Sequence, residues 1–192
     1  MRSLTKSLVL ITFLLSYAFT QSSINLDGSG QHIDVGSDIS FAGSDDFSIG
    51  MWVNPSSING DEMTVVRYNT LVEATLGYKA SINPDGTVRF GLDYLGMANG
   101  GWDNEEGGLG GDWVTEDVIT VSEWTYLVFV KESNHAKIYI NGSLANDGVW
   151  DVEGHDITDA GAGGGGGELH FGHDQQAGEV WGFDGSLDDI II

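Results

Sequence analysis

The chain has 192 residues, with 29 acidic side chains against 7 basic ones, and its formal charge at pH 7 is −22. A protein this negative repels phosphate backbones, which excludes nucleic-acid binding. Cysteine is absent, which excludes disulfides, thiol catalysis and thiolate metal sites. The 41% apolar content and the six Trp predict one folded domain with surface charge, and Ca²⁺ is the cation that carboxylate oxygens favour most.

The first 20 residues are typical of a secretory signal peptide. Arg2 and Lys6 precede an apolar run at residues 8–15, and small or polar residues follow it. This run is too short for a comfortable membrane span. The spacing of small residues allows cleavage after Ala18 or after Thr20. Cleavage after Thr20 leaves residues 21–192 as a soluble, secreted domain, and loss of Arg2 and Lys6 takes the formal charge from −22 to −24. The alternative is an uncleaved N-terminal anchor.

Alternation of apolar and polar residues predicts strands through the rest of the chain. They fall at residues 24–26, 32–35, 47–53, 63–67, 78–95 as a hairpin, 124–131, 136–140, near 144, at 168–171 and at 187–192. No window of about eleven residues has the helical period. The fold class predicted is all-β, an antiparallel two-sheet sandwich or jelly roll.

Turn residues separate these strands. Asn83-Pro84-Asp85-Gly86 predicts the turn of the first hairpin, and Asn141-Gly142 predicts a type I′ turn after the second. Trp52 and Trp124 lie in strongly apolar strands, so we expect them in the core. Residues 98–117 and 152–167 are predicted to be long loops, a length at which loops of a compact domain are functional or disordered.

The order of the motifs resembles a known family. The segments INLDGSGQHIDVG, FSIGMWVNP, EWTYLVFV, KIYING, ELHFGHDQ and GFDGSLDDIII follow one another as in the laminin-G-like, pentraxin-like branch of the concanavalin A-like jelly rolls. The resemblance covers residues 24–192. It implies an extracellular binding or adhesion module, frequently with Ca²⁺, attached to larger proteins. In the family the last strand usually continues past the position of Ile192, which predicts a truncated module or a fragment.

The resemblance implies a calcium site after the strand at 168–171. In pentraxins this loop carries Gln-Glu-Gln-Asp after a Gly, and here His173, Asp174, Gln175 and Gln176 follow Gly172. Asp174 and Gln175 keep the oxygen-donor type. Gln176 replaces a carboxylate by a neutral amide and His173 is unsuited to a hard cation, so the resemblance predicts weak Ca²⁺ binding.

A second calcium position is implied in the last strand. Related jelly rolls often use a carboxylate there, and Asp188 holds that place. Asp27 would lie near it, because the N- and C-terminal strands are commonly neighbours in this fold. The alternative makes Asp27 a turn former and Asp188 a solvated strand residue.

The loop at 98–117 carries the candidate ligand-binding residues. Trp102 and Trp113 flank a segment that contains Asp103 and Glu105. Aromatic rings stack on sugars and carboxylates bond to sugar hydroxyls. We therefore expect a glycan or an extracellular surface protein to be recognised through the loops. The alternative is that the rings tuck under their own loops.

Catalysis is the minority interpretation. Glycoside hydrolases of this architecture carry carboxylates at every second position of one strand, so that both face one groove. Here Glu105-Glu106 and Asp188-Asp189 are adjacent pairs, which point to opposite faces of a strand. The five His are scattered, and no catalytic residue is predicted. The alternatives to a binding module are a glycoside-hydrolase-type enzyme and a purely structural extracellular domain.

Overall fold

A computed structural model of the chain describes residues 22–36, 46–58, 60–69, 77–93, 111–133, 135–149, 168–176 and 179–192. The predicted signal peptide at 1–20 and the predicted loop at 152–167 lie outside these residues and stay predictions. Within the described ranges the regular elements are all strands. None of these residues lies in an apolar helix of membrane-spanning length.

Fourteen strands are present in the described part of the chain. They are β1 (Ile24–Asp27), β2 (Ile33–Gly36), β3 (Phe47–Pro55), β4 (Met63–Asn69), β5 (Gly77–Ile82), β6 (Thr87–Asp93), β7 (Gly111–Val118), β8 (Thr125–Glu132), β9 (His135–Ile140), β10 (Ser143–Val149), β11 (Glu168–Phe171), β12 (Gln175–Gln176), β13 (Glu179–Val180) and β14 (Asp184–Ile191).

Twelve of these strands form two six-stranded sheets. Sheet A has the order β1-β14-β3-β8-β9-β10, and sheet B has the order β2-β11-β4-β5-β6-β7. The paired strands of the described residues are antiparallel, and β12 pairs with β13 as a separate hairpin. The predicted all-β, two-sheet sandwich is confirmed, and so is the neighbourhood of the first and last strands.

The core lies between the two sheets because each strand turns every second side chain inward. In β3, Ile49, Met51 and Val53 are fully buried. From sheet B, Phe90 meets Phe129 of sheet A with the ring centroids 5.4 Å apart. The period-two pattern of the sequence therefore decides which face of each strand is covered.

Both predicted turns are confirmed. Gly86 has φ +87°, and its amide donates to the carbonyl of Asn83 at 2.9 Å. Asn141 and Gly142 have φ +52° and +81°, the two positive values that a type I′ turn requires.

The predicted core position of two tryptophans is wrong. Trp52 alternates with the buried side chains of β3 and lies half-buried on the outer face of sheet A, with its ring centroid 5.2 Å from that of Tyr126. Trp124 is 40% exposed. Position relative to the strand alternation, rather than the apolar character of the whole run, decides where an indole points.

The predicted loop at 98–117 contains a strand. Residues 111–118 form β7, which pairs with β6 so that Trp113 lies opposite Phe90. The acidic and glycine-rich composition around it hides the strand from sequence patterns, and the pairing with β6 supplies what the local propensity lacks. Residues 98–110 lie outside the described ranges.

Candidate functional site

The outer face of sheet B concentrates the basic residues of the chain. Of the seven Lys and Arg, Arg2 and Lys6 lie in the predicted signal peptide, which leaves five. Arg67, Lys79 and Arg89 are three of these five and lie on the neighbouring strands β4, β5 and β6. In so acidic a protein, three cations on adjacent strands mark this face as chemically distinct.

Each of these cations lies against carboxylates. Arg67 Nη1 and Lys79 Nζ lie 3.1 and 3.2 Å from Asp174 Oδ2, and Lys79 Nζ also lies 3.2 Å from Glu62 Oε1. Arg89 lies 3.5 Å from Glu62 Oε2 and contacts Asp112. The order of charges across the sheet is Arg67, Asp174, Lys79, Glu62, Arg89, Asp112. We call these six residues the charge row.

The charge row passes from buried to more accessible surroundings. The Arg67 and Asp174 side chains are 2% and 3% exposed, whereas those of Arg89 and Glu62 are 25% and 19% exposed. Burial by itself would raise the pKa of the Glu62 carboxyl, but Lys79, the Ser81 hydroxyl and Arg89 hold that pKa below its ordinary value. Glu62 is therefore ionised at neutral pH, and the row keeps its alternation of charge.

An aromatic ring lies beside the charge row. Lys79 Nζ is 5.0 Å from the ring centroid of Trp181, within the range of a cation–π contact. The backbone fixes this segment: the Trp181 amide donates to the Asp174 carbonyl at 2.9 Å, and the Trp181 carbonyl accepts from the Thr64 amide at 3.2 Å. A half-buried indole, carboxylates and cationic donors thus meet on one face.

Three histidines meet at the edge of the same sheet. The ring centroid of His32 lies 5.1 Å from that of His170 and 5.2 Å from that of His173. Burial lowers the pKa of His173, and the neighbouring His32 and His170 rings lower it further against an opposing effect of Asp174. The histidines are scattered in the sequence, and the pairing of β2 with β11 brings them together.

The carboxylate of Asp174, a predicted calcium ligand, pairs with two cations. Its carboxylate faces Arg67 and Lys79, so Ca²⁺ at this oxygen would meet two positive charges at short range. The side chains of Gln175 and Gln176 lie outside the description. In the described part of the chain, no three His, Asp or Glu side chains are grouped as metal ligands would be.

The structure separates the two carboxylates of the second calcium prediction. Asp27 lies opposite Asp184 in the β1–β14 pairing, whereas Asp188 lies opposite Trp52. Asp27 Oδ1 accepts from the amide and the hydroxyl of Ser29. These bonds match the alternative interpretation, in which Asp27 forms a turn. Asp188 Oδ1 accepts from the Asp189 amide, and Asp188 Oδ2 is buried without a hydrogen-bond partner. Asp188 is thus a predicted ligand with a buried carboxylate oxygen that has no hydrogen-bond partner.

The predicted ligand-binding residues of the loop at 98–117 are only partly described. Trp102, Asp103 and Glu105 lie outside the described ranges. Trp113 lies in β7, where its indole packs against the core and occupies the space beside Gly148. Trp181 borders a loop in the sequence, but no local pattern relates it to Lys79, beside which the fold places it.

A depression lies on sheet A. It is a cavity of about 600 Å³ lined by residues that include Ser48, Val130, Tyr139 and Ile192. Lys137 in its wall contacts Glu132. This surface combines apolar groups with paired charged groups. Because it lies on the other sheet, it supplies control positions for tests of binding at sheet B.

Sheet order and core together define an antiparallel jelly-roll sandwich. The family model described as the concanavalin A-like lectin/glucanases superfamily matches residues 27–192. The chain belongs to this superfamily, which confirms the family resemblance seen in the motifs. No curated protein matches the chain in sequence.

Solved structures are similar in fold. The CBM40 of the Ruminococcus gnavus IT-sialidase has a TM-score of 0.63 at 14% identity, over 88% of this chain and 89% of that one. Domain 4 of AbnA, a GH43 extracellular arabinanase from Geobacillus stearothermophilus, has a TM-score of 0.53 at 18% identity, over 88% and 68%. A heptameric SAP-like pentraxin from Limulus polyphemus has a TM-score of 0.51 at 16% identity, over 83% of this chain and 65% of its own length.

Proposed function

We propose that the protein is a non-catalytic module that binds a glycan on the outer face of sheet B. The observation that carries the proposal is the half-buried Trp181 indole beside the charge row, with Lys79 between the ring and two carboxylates. An aromatic face accepts the CH groups of a sugar ring, and carboxylates and guanidinium groups bond to its hydroxyls.

The polar groups of this face are held in place before any ligand arrives. Lys79 has a carboxylate on each side, and Arg89 lies between Glu62 and Asp112. Side chains fixed by such pairs lose little conformational freedom on binding. This preorganisation favours a recognition surface.

Two of the solved structures support the proposal. The AbnA domain was determined with arabinotriose, and the CBM40 was also determined with α2,3 sialyllactose. They share the sandwich with this chain at low sequence identity, so they support the capacity of such a fold to carry a sugar site. Which sugar this chain binds depends on its own side chains.

The electrostatics of the face favour binding over hydrolysis. A general acid of a glycosidase needs a raised carboxyl pKa. The pKa of Glu62 is instead lowered, because three neighbours outweigh the effect of its burial. Release of reducing sugar from polysaccharides by the purified protein would favour the enzymatic alternative.

Two further properties belong to the same proposal. We propose that residues 1–20 direct export and that the module acts outside the cell, where glycans and surface proteins are its partners. Calcium assistance is proposed at Asp188, because its buried Oδ2 has no other partner and Ca²⁺ takes oxygen ligands. The rest of the six to eight ligands typical of Ca²⁺ would come from backbone carbonyls and water.

Retention on a glycan array tests the binding face. We expect Trp181→Ala to abolish retention of the domain by the glycans that the wild type binds, with an unchanged far-ultraviolet circular dichroism spectrum. Tyr139→Ala, on the sheet A depression, and Trp124→Ala, at an exposed turn, are matched aromatic controls that should retain binding. Loss of binding in Tyr139→Ala with retention in Trp181→Ala would place the site on the other sheet and refute the proposal.

A further inference from the structure

Within the charge row the three positive and three negative charges cancel. Three cations (Arg67, Lys79 and Arg89) alternate with three carboxylates (Asp174, Glu62 and Asp112), and each contact is an ion pair of 3.5 Å or less. A site built to hold an anionic ligand would offer a cation whose internal partner is absent or weak. Here each of the three cations already has one or two carboxylate partners.

A ligand carboxylate would therefore have to displace an internal one. At the buried end of the row, displacement from Arg67 would take one of its two cations from Asp174, whose side chain is 3% exposed. Loss of an ion-pair partner by a buried charge is destabilising. At the accessible end, a ligand carboxylate beside Arg89 would lie close to both Glu62 and Asp112, and like charges repel at that range.

A hydroxyl group avoids this conflict. It donates one hydrogen bond and accepts others, so a sugar hydroxyl can donate to Glu62 and accept from Arg89 while the ion pair remains. Successive hydroxyls of a sugar ring repeat this pattern, and the Trp181 indole supplies the apolar contact beside it. The net charge of the protein also disfavours acidic ligands, since a chain of charge −22 repels polyanions over long distances.

We propose that this face selects neutral sugars and rejects sialic and uronic acids. The inference rests on the proposed glycan-binding function and names its substrate class. It sets the chain apart from the CBM40 solved with sialyllactose, which shares its fold. In this chain the cations of the charge row already pair with its own carboxylates, so a ligand carboxylate finds no cation without a carboxylate partner.

Matched pairs of glycans test the selectivity. The full domain is applied to an array that carries each neutral oligosaccharide with and without a terminal sialic or uronic acid, for example lactose beside α2,3-sialyllactose, and affinities for the bound pairs are measured by calorimetry. We expect the neutral member to bind at least about tenfold more tightly, because like-charge contacts in an interface are penalised. The preference should persist at about 0.5 M NaCl, where long-range repulsion is screened and only the local pairing remains.

Equal or tighter binding of the acidic members would overturn the inference and leave the glycan-binding function standing. Retention of no glycan would refute the function itself, and the selectivity with it. The two failures are therefore distinguishable.

Charge-removing variants test the cause. Glu62→Gln removes one carboxylate partner from Lys79 and one from Arg89, and Asp112→Asn removes one from Arg89. Each variant should therefore bring the affinities for the neutral and the acidic glycan closer together by about threefold or more. Glu132→Gln is the matched control, since Glu132 pairs with Lys137 on the other sheet. If Glu62→Gln fails to fold, Asp112→Asn serves alone, and an unchanged preference in a folded variant would contradict the role of the charge row.

Discussion

Asp174 lies 3.1 Å from Arg67, and both side chains are almost completely buried. The two residues are 107 positions apart in the sequence, and Lys79 contacts the same carboxylate oxygen. The contact attaches the segment after β11 to the outer face of sheet B. The carboxylate of Asp174, one of the predicted calcium ligands, thus pairs with two cations of the same chain.

We expect Asp174→Asn to lower the free energy of unfolding by about 3 kcal/mol or more, because it removes a carboxylate that pairs with the buried Arg67. Urea denaturation at neutral pH measures this loss. The double variant Arg67→Met/Asp174→Leu should lose clearly less than the sum of the single variants, since it removes both charges. Additive losses would show that the ion pair is not the cause.

Stability should fall in mild acid through His173. Its pKa in the folded protein is below the ordinary 6.5, so the folded state favours the neutral ring. The stability that the neutral His173 ring contributes to the free energy of unfolding is fully present above about pH 6.5. It is lost as the pH falls from there towards the pKa of His173 in the folded protein. The groups that face this ring are His32, His170 and Asp174.

Urea denaturation between pH 7 and pH 5 checks this dependence. The free energy of unfolding should fall less steeply in His173→Gln than in the wild type. His135→Gln is the control, because His135 bonds to Asp147 at 2.7 Å on sheet A. If the free energy of unfolding falls with pH as steeply in His173→Gln as in the wild type, His173 is not the cause of the lost stability.

Gly148 should tolerate no side chain. A Cβ at this position would overlap the indole of Trp113, which packs against the core between β7 and β10. We expect Gly148→Ala to cost about 1–3 kcal/mol of unfolding free energy, as overpacking commonly does. In a Trp113→Ala background the same substitution should cost almost nothing, and an undiminished cost there would point to the backbone instead of the indole.

Calcium binding is tested by thermal melting. If Ca²⁺ is held at Asp188, chelation should lower the melting temperature of the wild type and added Ca²⁺ should restore it. Asp188→Asn should remove this response, whereas Asp27→Asn should keep it, because Asp27 lies opposite Asp184 and not Asp188. A wild-type melting curve that chelation leaves unchanged would remove calcium from the account.

The sequence alone determined the features that depend on neighbouring residues. Alternation along β3 predicted which side chains are buried, and Asn141-Gly142 predicted a turn with two positive φ angles. These succeed because side-chain period and backbone sterics act over a few residues. The order of motifs carried the superfamily for the same reason, since each motif is a local element.

The tertiary structure alone decided the site. The pairing of β11 with β4 and β2 brings His170 opposite Arg67 on one side and Asp34 on the other, and the return of the chain after β11 places Asp174 and Trp181 beside Lys79. The sequence pattern does not predict β7, which lies in a glycine-rich segment and depends on its pairing with β6. Registers between distant strands depend on the packing of the whole sandwich, so no local pattern reveals which charges will meet.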